Sequence, residues 1–221
     1  MPRLRQVGRE DTDAPIVHLS YDVVFGPGGD PTKGDTTDTG TTGDWWSVFA
    51  LVPDVLQHAV DGFLLYRSPS RTVPAVLREL AQARVGWASG STFVYSQHCK
   101  SLRGLGVDDE KIAHVAAWTV SSRFDPLERA VLSLADSLAL DRGRVADEVM
   151  AVLRAHLSDE QILELSYIAA MYTMHASISR ALRLEADDVD EPVHEIAAPE
   201  GFDAQAFIQV GVEQPPESSA D

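Results

Sequence analysis

His98 is the side chain in this sequence best suited to proton chemistry. It stands in the stretch Gly90-Ser91-Thr92-Phe93-Val94-Tyr95-Ser96-Gln97-His98-Cys99, where helical spacing groups Ser91, Val94, Tyr95, His98 and Leu102 on one face. A core claims such a face, so the imidazole is either a satisfied structural group or a catalytic one. An unperturbed imidazole titrates near neutrality, which suits a general acid or base at cellular pH.

The residues around His98 divide in the same way. Ser91 reads as the N-cap of the His98 helix, with contact to a substrate as the alternative. Tyr95 lies one turn before His98 and either packs or lends its hydroxyl to a substrate oxygen. Cys99 points about a hundred degrees away from His98 around the helix and reads as a small buried hydrophobe. A single-thiol redox role is its alternative, because the neighbouring Lys100 and His98 could lower its pKa. Trp45, Trp46 and Trp118 read as core or interface anchors, whereas Trp87, just before the helix, is the tryptophan best placed to line a pocket. His175 sits on the apolar face of a later helix as a core histidine or a second pocket residue. No ligand set at recognisable spacing accompanies the two histidines, so no metal is expected.

These side chains need a scaffold, and the pattern from Trp45 onward is helical. Pro53 opens a helix carrying Val55, Leu56, Ala59, Phe63 and Leu64. Pro74 opens the next, with Val76, Leu77, Leu80 and Ala83 inward. Gly104 and Gly106 end the His98 helix, and Asp108 starts another. Asp125-Pro126-Leu127-Glu128 and Ser158-Asp159-Glu160-Gln161 are capping boxes, the second opening a long helix to about Leu182. Between them, Val145, Val149, Val152 and Leu153 mark a shorter helix. Residues 45–186 thus read as an all-α bundle of about seven helices. His98 and Arg103 are echoed at equal spacing by His175 and Arg180, which suggests an old helical duplication.

The flanks read differently. Val17, Leu19, Tyr21, Val23 and Phe25 alternate with polar residues, the period of a strand. Residues 207–212 form a second candidate strand, expected to pair with 16–25 in a small sheet. Residues 1–44 therefore read as an extension, with a flexible Gly/Thr/Asp-rich loop over 26–44. Asp35, Asp38 and Asp44 in that loop lack the spacing of a calcium-binding loop.

Hydrophobic residues make up 44% of 221, enough for one sizeable core. The net charge is −16, and residues 187–221 hold ten Asp/Glu and no Lys/Arg. The acidity is mainly a property of that tail, and it disfavours nucleic acid and anionic membranes as partners. No apolar run reaches the length of a membrane span and no secretory signal is evident, so a cytoplasmic protein is expected. The single cysteine excludes an intrachain disulfide.

Arg78-Glu79-Leu80, Ser91 to Gly106 and Val107-Asp108-Asp109-Glu110-Lys111-Ile112 follow one another as a helix with a Glu, a Gly/Ser turn, a Ser-Gln-His helix with a glycine end, and an acidic helix start. This order resembles the carboxymuconolactone decarboxylase and alkyl hydroperoxidase D superfamily over roughly residues 50–185. The resemblance implies an all-α fold assembled as homotrimers or homohexamers. In its peroxidase branch, Cys-x-x-Cys-x-x-x-His works with an upstream Glu. The resemblance places that Glu at Glu79 and that His at His98, while the two cysteines fall on Ser91 and Val94. A thiol peroxidase needs a second thiol to resolve the sulfenate, so the resemblance supports the fold and argues against that chemistry. The non-redox branch often carries Glu where this chain has Val94.

The reading that follows is an enzyme doing cofactor-free proton transfer, a decarboxylation or isomerisation, on a small organic molecule. His98 moves the proton, Glu79 orients it, and Tyr95, Ser91 and Trp87 contact the substrate. Two alternatives stand beside it: peroxiredoxin-like activity through Cys99, and a non-catalytic oligomeric binding protein.

Overall fold

The computed structural model describes residues 1–185, 187 and 192–205. Nine α-helices run through them: α1 (Pro15–Phe25), α2 (Asp44–Phe49), α3 (Pro53–Arg67), α4 (Ala75–Ala88), α5 (Thr92–Gly104), α6 (Asp109–Ala113), α7 (Pro126–Leu140), α8 (Asp147–His156) and α9 (Asp159–Leu182). Side chains cap the starts of four, with Asp108 accepting from Glu110 N on α6. Ser91 Oγ accepts from Val94 N at the head of α5. Asp125 and Glu128 close a reciprocal box on α7, and Ser158 and Gln161 do so on α9, which satisfies amide donors that a helix leaves open.

Helix α4 is the axis of the bundle, buried continuously from Leu77 to Gly86. It packs against α5, α7 and α9. Gly86 makes the α4–α5 crossing possible, because a Cβ there would lie 2.4 Å from Tyr95 N and 2.8 Å from Tyr95 Cα. Three apolar clusters surround this axis. One joins α4, α7, α8 and α9 through Leu77, Val85, Val131, Leu153 and Leu165. A second gathers Val7, Val17, Tyr21, Trp45, Leu56 and Leu184. A third packs Leu80, Tyr95, Cys99, Leu102 and Leu132.

The expected strand over 16–25 is a helix. Pro15 occupies its first turn and Gly26, at φ 84°, ends it. Val17, Ser20 and Tyr21 are buried, whereas Leu19 and Val23 are 61% and 63% exposed. The alternation contained an i, i+4 pair, Val17 and Tyr21, and that pair found a core where the strand period found no partner. Its proposed mate at 207–212 lies outside the described residues. Among the described residues the β pairing is one isolated bridge, Thr36 with Thr42.

The Gly/Thr/Asp-rich segment is folded onto the bundle. Asp30 caps a short 3-10 turn over Pro31–Lys33. Thr39 and Thr41 are each 2% exposed. Thr41 Oγ1 accepts from Gln97 Nε2 at 2.7 Å, and the Thr39 carbonyl accepts from Lys100 Nζ at 2.8 Å. The described part of the acidic segment also packs on α5. Asp187 accepts from Phe93 N and Ser91 Oγ at 3.3 Å each, Ile196 N donates to Ser96 Oγ at 2.6 Å, and Glu195 pairs with Arg103.

Candidate active site

Helices α4 and α5 bring Glu79 and His98 together. Glu79 Oε2 lies 2.6 Å from His98 Nδ1, with both side chains buried. Arg78 donates to the other carboxylate oxygen through Nε and Nη2 at 3.2 and 3.1 Å. Burial pushes the Glu79 carboxyl upward, but His98 and Arg78 outweigh it and hold the group below the ordinary carboxylate value. With the carboxylate ionised, Nδ1 carries the proton it donates, and Nε2 of a neutral ring is left as a base. Nε2 makes no hydrogen bond to a described residue.

His98 lines a cavity of about 290 Å³. From α5 its wall takes Phe93, Val94, Gln97, His98 and Ser101, the last four at i, i+3, i+4, i+7 spacing on a single helical face. Aromatic rings supply much of the rest: Trp45 and Trp46 from α2, Phe63 and Tyr66 from α3, and Tyr172 from α9. The Tyr172 ring stands edge-on to His98, with centroids 4.4 Å apart. The threonine loop adds Thr39 and Thr41. Arg67 also reaches the wall and donates to the Tyr66 hydroxyl at 2.9 Å.

The other expected site residues lie elsewhere. Tyr95 and Cys99 turn into the third cluster with Leu80 and Leu102. Trp87 packs at the edge of that cluster, under the Arg84 guanidinium at 4.7 Å. Ser91 is fully buried at the helix cap, bonded to Asp187. None of the four lines the cavity. The face read as Ser91, Val94, Tyr95, His98 and Leu102 is divided in the fold. Tyr95 meets α4 at the close crossing beside Gly86 and turns into the third cluster, and Gln97 and Ser101 line the cavity instead. The expectation of a lowered Cys99 pKa is also corrected, since burial and the Glu195 charge push the thiol up to about 12.

His175 does line the cavity, and Tyr172 stands between it and His98. Burial, followed by the charges of His58 and His98, pushes it down to about 4. Gln97, Ser101 and Tyr172 were not among the expected site residues; Ser101 stands one turn after His98 and Tyr172 one turn before His175, a spacing that could have found these two. The threonine loop gave no such sign, because polar composition alone does not distinguish a solvated loop from a docked one. Among the described residues no group of three or more His, Cys, Asp or Glu is placed to hold a metal ion, and no helix is long and apolar enough to cross a membrane.

A sequence model of the carboxymuconolactone decarboxylase family matches residues 55–137, the stretch that contains both Glu79 and His98. The Bacillus subtilis (strain 168) protein YdfG is 30% identical over 137 residues, which are 62% of this chain and 92% of that protein. The chain belongs to the carboxymuconolactone decarboxylase family. Solved structures share its fold. The debrominase Bmp8, as a variant in complex with 2,3,4-tribromopyrrole, aligns over 96% of this chain and 97% of its own, with a TM-score of 0.64 at 15% identity. The alkylhydroperoxidase AhpD core protein of Ralstonia eutropha JMP134, which is peroxidase-related, covers 91% of this chain and 98% of its own, with a TM-score of 0.60 at 13% identity.

Proposed function

We propose that this protein carries out cofactor-free acid/base chemistry on a small, largely apolar organic molecule held in the aromatic cavity. The observation that carries the reading is the buried 2.6 Å contact between Glu79 and His98, whose ring opens on that cavity. His98 Nε2 takes a proton from a carbon acid, and the electron pair stays on the substrate carbon as an enolate. In an isomerisation that proton returns to another carbon; in a decarboxylation Nε2 instead takes the proton of the substrate's carboxylic acid, the C–C bond breaks to release carbon dioxide and leave its electron pair in the enolate, and the imidazolium protonates that carbon. Glu79 holds Nδ1–H and stabilises the imidazolium formed in between. Arg78 keeps the carboxylate ionised in a buried setting. Val94 stands in the cavity where the resemblance places a cysteine of the peroxidase branch, and Cys99 lies outside it, which favours proton transfer over thiol chemistry. The fold of Bmp8 accommodates a planar halogenated ring, a ligand of the size this cavity would take.

The test is deuterium exchange and decarboxylation followed by NMR in D2O, on a panel of β-keto acids and unsaturated lactones. The wild type is expected to exceed the buffer rate on at least one of them, and His98→Asn to lose about 100- to 10,000-fold of that rate. Wild-type rates equal to buffer across the panel, or an equally fast His98→Asn, would sink the reading.

A further inference from the structure

Two rings that line the cavity carry polar atoms with no hydrogen-bond partner among the described residues. His175 and Trp45 are 3% and 1% exposed. His175 Nδ1, His175 Nε2 and Trp45 Nε1 are all buried without a hydrogen-bond partner among the described residues. Their rings lie near one another, with centroids 5.9 Å apart, and both line the cavity. Leaving a buried donor or acceptor unmet is costly, and here three such atoms belong to two neighbouring rings that both line one cavity. Folding alone gains nothing from them. A Phe at 175 would pack against Phe63 and Tyr172, its ring neighbours at 5.2 and 5.7 Å, without the penalty.

We propose that His175 and Trp45 Nε1 form a recognition site for the uncharged hydroxyl of a small aromatic ring, a phenol. A hydroxyl is the smallest group that both donates and accepts. It donates to the unprotonated imidazole nitrogen and accepts from the indole N–H. A charged group is disfavoured because the ring neighbours of His175, Trp45, Phe63 and Tyr172, carry no formal charge to compensate it. The imidazole stays neutral at cellular pH, since burial pushes His175 down to about 4. At about 290 Å³ the cavity stands at the small end of ligand sites, which suits one ring. The rest of the ring then lies among Trp46, Phe63 and Phe93. This inference rests on the cavity being a ligand site, as proposed above, but not on His98 catalysis.

The probes are 4-methylphenol, 4-methylanisole and toluene, titrated against the full-length protein by calorimetry. A purely apolar cavity prefers toluene, which is the easiest to desolvate. The site proposed here binds 4-methylphenol about tenfold more tightly than either of the others. His175→Phe and Trp45→Phe are expected to reverse that preference, and His175→Gln to retain it. His98→Asn also retains it, which separates this inference from the acid/base reading. Should His175→Phe fail to fold, imidazole 15N shifts of wild-type His175 decide: they move with 4-methylphenol and not with toluene. Equal binding of the three probes, binding of none, or a preference that survives in His175→Phe overturns the proposal.

Discussion

At the scale of single residues, the chemistry rests on a charge balance set by three side chains. Glu79 is fully buried between Arg78 and His98, and each neighbour lowers the energy of its ionised form. Replacing Glu79 with Gln leaves the Arg78 charge without its partner, a change of a kind that typically costs about 3–5 kcal/mol. Glu79→Gln is therefore expected to lower the melting temperature and to reduce kcat more than KM. The folded-state value of Glu79 is depressed, so its stabilising contribution is complete above the ordinary 4.5 and is lost as pH falls through the lower folded value. Urea unfolding across the acid range should show this slope in the wild type and a flatter one in Glu79→Gln. An unchanged slope would mean that the carboxylate is not ionised in the fold. Cys99, by contrast, owes its inertness to place. It lies beside His98 in sequence, yet it is fully buried in a different cluster.

At the scale of elements, the site depends on how closely α4 and α5 cross. Glu79 is on one helix and His98 on the other, and Gly86 sets their separation. Gly86→Ala would force the backbones apart, since the added carbon meets Tyr95 backbone atoms rather than a flexible side chain. Overpacking of this kind typically costs about 1–3 kcal/mol. The expected outcome is a lower melting temperature together with reduced turnover, even though residue 86 does not line the cavity. A variant as active and as stable as the wild type would show that the crossing is slack.

Helices α5, α7 and α9 were legible because Ser91, Asp125 and Ser158 announce their starts. Helix α1 was not, because its apolar residues satisfied two periods at once and only packing of Val17 and Tyr21 decided between them. The pairing of Glu79 with His98 came from the order of motifs, since nothing local says which way a mid-helix carboxylate faces. The cavity face of α5 was half legible: His98 and Val94 were on it, while Gln97 and Ser101 join it because packing turns Tyr95, and not them, into the core.

At the scale of the whole molecule, the surface of α9 is as informative as its core face. Leu163, Tyr167 and Met174 are 69%, 56% and 44% exposed along one side of this 24-residue helix. Exposed apolar side chains in contiguous patches mark interfaces, and the family resemblance implies trimers or hexamers. Light scattering is expected to give a multiple of the 24.0 kDa chain mass, and Leu163→Lys with Tyr167→Asp to reduce it. A wild-type monomer at micromolar concentration would refute the assembly.

The packing of the threonine loop and the acidic segment on α5 also bears on when the cavity comes into being. Trp45 N bonds to Glu185 across 140 positions, and Asp187 and Ile196 reach α5 across 96 and 100. Pro199 lies against Gly40, where an added Cβ would be 2.9 Å from its ring. Bringing such distant positions together is slow compared with forming local helices. During synthesis, α4 and α5, which carry Glu79 and His98, are complete long before residues 185–199 have left the ribosome. The helices of the dyad thus precede the segments that finish the chamber around it. A ligand that must be shielded from water has nowhere to go until translation has passed α9.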